Sequence, residues 1–192
     1  MPLVSYNIML NIYATAGLYC EAEELFHAMQ RDGWSPDSYT YLALVRAYTE
    51  GLKYSEAEKA IFSMQKQRIS PSCAHFNLLL LAFAKAGLIA EAQRVYGELI
   101  AAGLTPDLKC NQNMLRGYMD YGHVEEGISF FERICGSVEP DRFVMSAAVH
   151  FYKLAGMELK AKGVLHTMSS MGIPLLKNLE VGSKRSSLIC QK

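Results

Sequence analysis

The sequence carries no excess of either charge: its 192 residues include 19 Lys plus Arg and 19 Asp plus Glu. No global field draws such a chain to a polyanion or an anionic membrane, so any affinity for nucleic acid has to come from local surface. Cysteine is sparse and unpatterned. Cys20, Cys73, Cys110, Cys135 and Cys190 are odd in number and contain no C-x-x-C pair. That excludes a zinc ribbon and a disulfide framework, and suits a reducing compartment with the thiols packed as small apolar groups. Long apolar runs are missing too. The longest, Phe76 to Ala84, is broken by Asn77 and falls far short of the roughly 20 residues that cross a bilayer, so no membrane partner is expected. Residues 1–20 lack the basic start and continuous apolar core of a signal peptide. Clustered carboxylates, paired nucleophile and base, and metal-ligand spacings are absent as well. Neither catalysis, a cofactor, a metal nor a small-molecule substrate is expected.

Proline is scarce, and its placement is the strongest signal in the chain. All six prolines, Pro2, Pro36, Pro71, Pro106, Pro140 and Pro174, stand 34, 35, 35, 34 and 34 residues apart. The aromatics Tyr13, Tyr48, Phe83, Tyr118 and Tyr152 keep the same interval, as do the small residues Ala22, Ala57, Ala92, Gly127 and Ala161. A period of this length marks a repeat architecture. Cutting after the residue that follows each proline gives five units, 3–37, 38–72, 73–107, 108–141 and 142–175, with a tail over 176–192.

Within a unit the apolar spacing is helical: Phe76, Leu79, Leu80, Phe83 and Ala84 recur at three and four residues and form one face. Gly17, Gly87, Gly122 and Gly156 end the first helix, with Gly51 one residue early in unit two. Acidic residues such as Glu21, Glu56 and Glu91 open the second helix, at the positive end of its dipole, and Ser55 with Glu58 has the spacing of a capping box. The expected fold is all-α, a right-handed solenoid of stacked helix-turn-helix units of about 35 residues. Nothing precedes residue 3 to cover the first helix, so the chain is read as the C-terminal part of a longer array.

Two helices in about 35 residues fit a tetratricopeptide or a pentatricopeptide unit. Val4-Ser5-Tyr6-Asn7, then Tyr13, Ala16-Gly17, Glu21-Ala22, Leu25-Phe26, Met29 and Gly33 through Pro36-Asp37, resembles the pentatricopeptide repeat of plant organellar proteins, P-type, and unit three follows the same pattern. The only tryptophan, Trp34, lies in a loop, not early in a first helix as the tetratricopeptide pattern wants. The resemblance implies single-stranded RNA as partner, with one base per repeat read by two or three side chains.

In this family the fifth and last residues of a unit carry the base code. Here they are Asn7 with Asp37, Leu42 with Ser72, Asn77 with Asp107, Gln112 with Asp141, and Ser146 with Leu175. Asparagine with aspartate implies uracil at units one and three, because an amide both donates to and accepts from that base's edge. Leu42 and Leu175 offer no hydrogen bond and Gln112 is unusual, so units two, four and five are candidates for spacers. The second residues, Val4, Tyr39, Ala74, Lys109 and Phe143, would flank the bases, Tyr39 and Phe143 either stacking on them or lying buried between helices. At the thirteenth residue, where the family often has a phosphate-binding lysine, only Lys85 fits; Thr15, Glu50, Asp120 and Leu154 do not.

Some plant relatives end in a deaminase-like zinc domain, whose site needs H-x-E followed by P-C-x-x-C. His123-Val124-Glu125 supplies the first half alone. His27, His75, His150 and His166 fall at different repeat positions and are read as structural. The competing function is a tetratricopeptide-like protein scaffold, gripping other proteins through exposed terminal hairpins. It predicts no salt dependence from counterion release and no base preference. The resemblance further implies an organelle, chloroplast ahead of mitochondrion, and a role in RNA stability, splicing, editing or translation.

Overall fold

The computed structural model describes residues 2–136, 139 and 141–176. Among them are ten α-helices and no strand: α1 (Leu3–Thr15), α2 (Tyr19–Arg31), α3 (Ser38–Glu50), α4 (Tyr54–Lys66), α5 (Cys73–Ala86), α6 (Ile89–Ala101), α7 (Leu108–Tyr121), α8 (Val124–Ile134), α9 (Arg142–Leu154) and α10 (Glu158–Ser170). Each repeat unit contributes two. The described residues fall into two compact bodies, one of residues 2–82 with 94–105, the other of residues 83–93 with the described residues of 106–176.

In the first body α1 packs on α2 and on α3, and α3 packs on α2 and α4. In the second, α9 makes the equivalent contacts with α7, α8 and α10. A first helix thus touches its own second helix and both helices of the preceding unit, which is how hairpins too small to hold a core share one. Ala22, Ala57, Ala92 and Ala161, the small residues of the second helices, are all buried. The periodic aromatics Tyr48, Phe83, Tyr118 and Tyr152 are buried as well. Their hydroxyls, where present at the edge, find partners: Gln93 Nε2 donates to Tyr118 at 3.1 Å and Tyr152 donates to Glu132 at 3.0 Å. Ile8 and Ile12 on α1 are 57% and 58% exposed, whereas Ala43 and Ala47, at the same register on α3, are buried. Among the described residues, no hairpin packs on that side of α1.

Two local details differ from the sequence expectation. The Ser55–Glu58 capping box does not form: α4 begins at Tyr54 with Lys53 as its cap and no side-chain bond there, and Glu58 instead pairs with Arg94. Ser55 is the second residue of the helix, two positions past the cap. In unit two the left-handed turn residue is Leu52, at φ +59°, not Gly51, while the first-helix ends of the other units use Gly17, Gly87, Gly122 and Gly156 at φ +70° to +76°. Gly51 is needed for space: a Cβ there would lie 2.5 Å from the Tyr19 ring.

Candidate functional site

The last residue of a unit and its fifth residue meet because the last residue is also the N-cap of the next first helix. An aspartate in that place accepts a backbone N–H left over at the helix start. Asp37 Oδ1 accepts from Thr40 N at 2.8 Å, Asp107 Oδ1 from Cys110 N at 2.8 Å, and Asp141 Oδ1 from Val144 N at 2.9 Å. Capping fixes each carboxylate, and fixed carboxylates can orient a neighbour.

At unit one that neighbour is Asn7. Its Nδ2 donates to Asp37 Oδ1 at 3.2 Å and Oδ2 at 3.3 Å. Thr40 completes a reciprocal capping box, its Oγ1 accepting from Asp37 N at 3.1 Å, and lies 2.7 Å from Asn7 Oδ1 and 2.9 Å from Asp37 Oδ1. A carboxylate only accepts, so the amide face toward it must be the NH2 and the flip of Asn7 is determined. One N–H and one lone pair of the amide remain uncommitted, the pattern that answers a carbonyl beside an N–H on a pyrimidine edge. Asn7 and Asp37 are half-buried, which holds them rigid while leaving an edge to solvent.

The geometry recurs at unit four. Gln112 Nε2 donates to Asp141 Oδ2 at 2.5 Å, its extra methylene spanning to the same carboxylate. Asn77 is half-buried on α5, and Asp107 is exposed at the start of α7. At unit two Leu42 is half-buried and the Ser72 hydroxyl is 3.0 Å from His75 Nδ1, so this pair offers little to a base edge. The expectation that Ser146 reads a base is not met by this geometry. The serine is 1% exposed, its Oγ accepts from Leu176 N at 3.0 Å, and Leu175 packs against the core of Met145, Val149 and Met168.

Of the second residues, Val4, Tyr39, Ala74 and Lys109 are exposed. Tyr39, at 75% exposure, is not an interhelix core residue. Phe143 is half-buried beneath the Arg116 guanidinium, 4.9 Å from its ring centroid. Lys85, Glu50, Thr15 and Leu154 are exposed and Asp120 is half-buried. His123 Nδ1 lies 3.3 Å from Glu126 Oε1 at the start of α8, and no His, Cys, Asp and Glu group able to hold a metal ion occurs among the described residues.

Sequence reading missed Thr40, whose D-x-x-T spacing is a capping-box signal, and the ninth residues Asn11, Arg46 and Arg116, one turn beyond the fifth. It read His75 as structural without naming its contacts. The imidazole is 1% exposed. Ser72 N donates to its Nδ1 at 3.2 Å, so the proton sits on Nε2, 3.1 Å from the Ser38 carbonyl. Burial pushes the His75 pKa below its ordinary 6.5. Burial, then Lys153, does the same to His150. The unfolded chain therefore takes up these protons first, and stability present above about pH 6.5 is lost as the pH falls below it. Thermal unfolding at about pH 7 and about pH 5.5 should show this loss, and His75→Gln should reduce it; an equal loss in the variant would contradict the assignment.

Stacked helical hairpins with a cap-anchored polar pair between successive first helices define a helical-repeat solenoid, all-α. The sequence profile of the PPR repeat family matches residues 3–50 and that of the PPR repeat matches residues 39–69 and 74–104, together just over half of the chain. The chain belongs to the pentatricopeptide-repeat family. Among solved structures it is similar to the pentatricopeptide repeat protein PPR10 in complex with an 18-nt psaJ RNA element, at 30% identity and TM-score 0.68, over 89% of this chain and 25% of that one. PPR10 from maize matches at 30% identity and TM-score 0.70, over 88% and 24%. The PPR domain of Arabidopsis thaliana protein-only RNase P 1, in complex with tRNA, shares the fold at 16% identity and TM-score 0.75, over 93% and 95%. This chain spans about a quarter of the length of the PPR10 chains. No curated protein sequence matches it.

Proposed function

We propose that the chain binds single-stranded RNA through the fifth and last residues of its units, one base per contacting repeat, and catalyses nothing itself. The observation that carries this reading is the Asn7 amide, clamped by Asp37 with one donor and one acceptor left over. Unit one reads uracil, and Asn77, the asparagine at the same register of unit three, reads a second. The Gln112–Asp141 contact adds unit four to the reading repeats. The code positions of units two and five read no base, while Tyr39 of unit two stacks on one, an interaction worth about 1–3 kcal/mol. The family resemblance supports an organellar role in RNA stability, splicing, editing or translation, in the chloroplast ahead of the mitochondrion.

The test is fluorescence anisotropy with short RNAs carrying uracils two positions apart, against uracil-free controls, at low and moderate salt. Each satisfied amide should contribute about 1–3 kcal/mol of discrimination, so the uracil-bearing RNA should bind at least about tenfold more tightly and Asn7→Ala should narrow the gap. Equal affinity for all sequences, or no binding at low salt, would overturn the proposal; the second result would favour a protein partner.

A further inference from the structure

The thirteenth residues give an RNA backbone little to hold, since Glu50 and Asp120 are acidic and Thr15 and Leu154 uncharged. Residues two, five and nine of a first helix are three and four apart and share one stripe. At the ninth position stand Arg46 in unit two and Arg116 in unit four. Arg46 Nη1 donates to Asn11 Oδ1, the ninth residue of unit one, at 3.1 Å. Arg116 lies over the Phe143 ring, and shares its stripe with Lys109 and Gln112. Neither guanidinium meets a carboxylate among the described residues. Three second-helix cations differ: Arg94 on α6 is held by Glu58 and Glu98, Lys160 on α10 by Glu132, and Lys59 on α4 by Glu56.

An arginine anchored by a neutral amide or an aromatic face keeps its full charge and most of its five donors for a ligand. We infer that Arg46 and Arg116 bind the phosphates of a single-stranded RNA, taking the place of the lysine that the thirteenth positions of their units lack. The inference rests on the RNA-binding reading above. It accounts for how a chain of zero net charge holds a polyanion: Lys59, Arg94 and Lys160 on second helices are engaged by carboxylates, whereas Arg46 and Arg116 are held by an amide and a ring and keep their charge for phosphate.

The test is the salt dependence of RNA affinity for the wild-type chain and for Arg46→Gln, Arg116→Gln, Arg46→Lys and Arg94→Gln, with far-UV circular dichroism and unfolding temperature confirming that each variant is folded. For single strands the slope of log affinity against log salt changes by about 0.7 for each phosphate that the protein ceases to neutralise. Arg46→Gln and Arg116→Gln should each flatten the slope by about that amount and weaken uracil-bearing and uracil-free RNAs equally, Arg46→Lys should restore the slope, and Arg94→Gln should leave it unchanged. Unchanged slopes in both glutamine variants, with the wild-type uracil preference intact, would overturn this inference and leave the base-reading proposal standing. Loss of uracil preference in either glutamine variant would mean that the arginine reads bases instead. Absence of wild-type binding would sink both.

Discussion

Phe151→Ala should destabilise the fold by about 3–5 kcal/mol and Gly127→Ala by about 1–3 kcal/mol, yet the double variant should lose markedly less than the sum. Phe151, the tenth residue of unit five, is fully buried at 0% exposure. Its counterparts at that register are Ile12, Ala47, Ala82 and Gly117, so a large ring here needs room made elsewhere. Gly127 makes it. Where the other units have alanine at the start of the second helix, unit four has glycine, and a Cβ there would lie 2.5 Å from Phe151 Cζ. In an ordinary helix interior glycine-to-alanine gains up to about 1 kcal/mol; against a ring with nowhere to go, overpacking reverses the sign. Removing the ring first gives the new methyl space. Denaturant unfolding of the two single variants and the double measures the coupling, and strictly additive losses would contradict this packing account.

Asp37→Ser and Asp37→Ala should separate two jobs done by one carboxylate. Asp37 caps α3 through Thr40 N and clamps the Asn7 amide. Serine is as good an N-cap as aspartate, and alanine costs about 0.5–2 kcal/mol there. Asp37→Ser should therefore keep nearly wild-type stability while Asn7 loses the acceptor that fixes its flip, and uracil discrimination at that repeat should fall by about 1–3 kcal/mol. Asp37→Ala should lose both. Unfolding midpoints and RNA affinities of the two variants decide it; a serine variant that keeps its uracil preference would show that the amide does not need the carboxylate.

The fold was legible because its evidence is periodic. Six prolines at one interval and an aromatic and a small residue keeping step with them place the hairpins without any knowledge of tertiary contacts. What escaped was chemistry made by contact. Nothing near Asn7 in sequence shows that a carboxylate 30 residues away clamps its amide, and Gln112 looked anomalous until its longer side chain met Asp141. Tyr39 was open between stacking and core until its exposure decided against the core. Ser146 matched the polar expectation of its position, but a backbone N–H takes its hydroxyl. Ser55 and Glu58 had the right spacing for a cap, and α4 starts two residues too early for them. Arg46 and Arg116 could have been found by following the stripe one turn past the fifth residue, since their position is set by helix geometry alone.

The most direct test of the central claim is to observe the side-chain amide protons of Asn7 and Gln112 by NMR while titrating a uracil-bearing single-stranded RNA and a uracil-free control. The account predicts large shifts of the Asn7 amide with the uracil-bearing RNA and small ones with the control, with Arg94 on the second-helix side unmoved by either. Shifts confined to α2, α4 and α6, or identical responses to both RNAs, would contradict it.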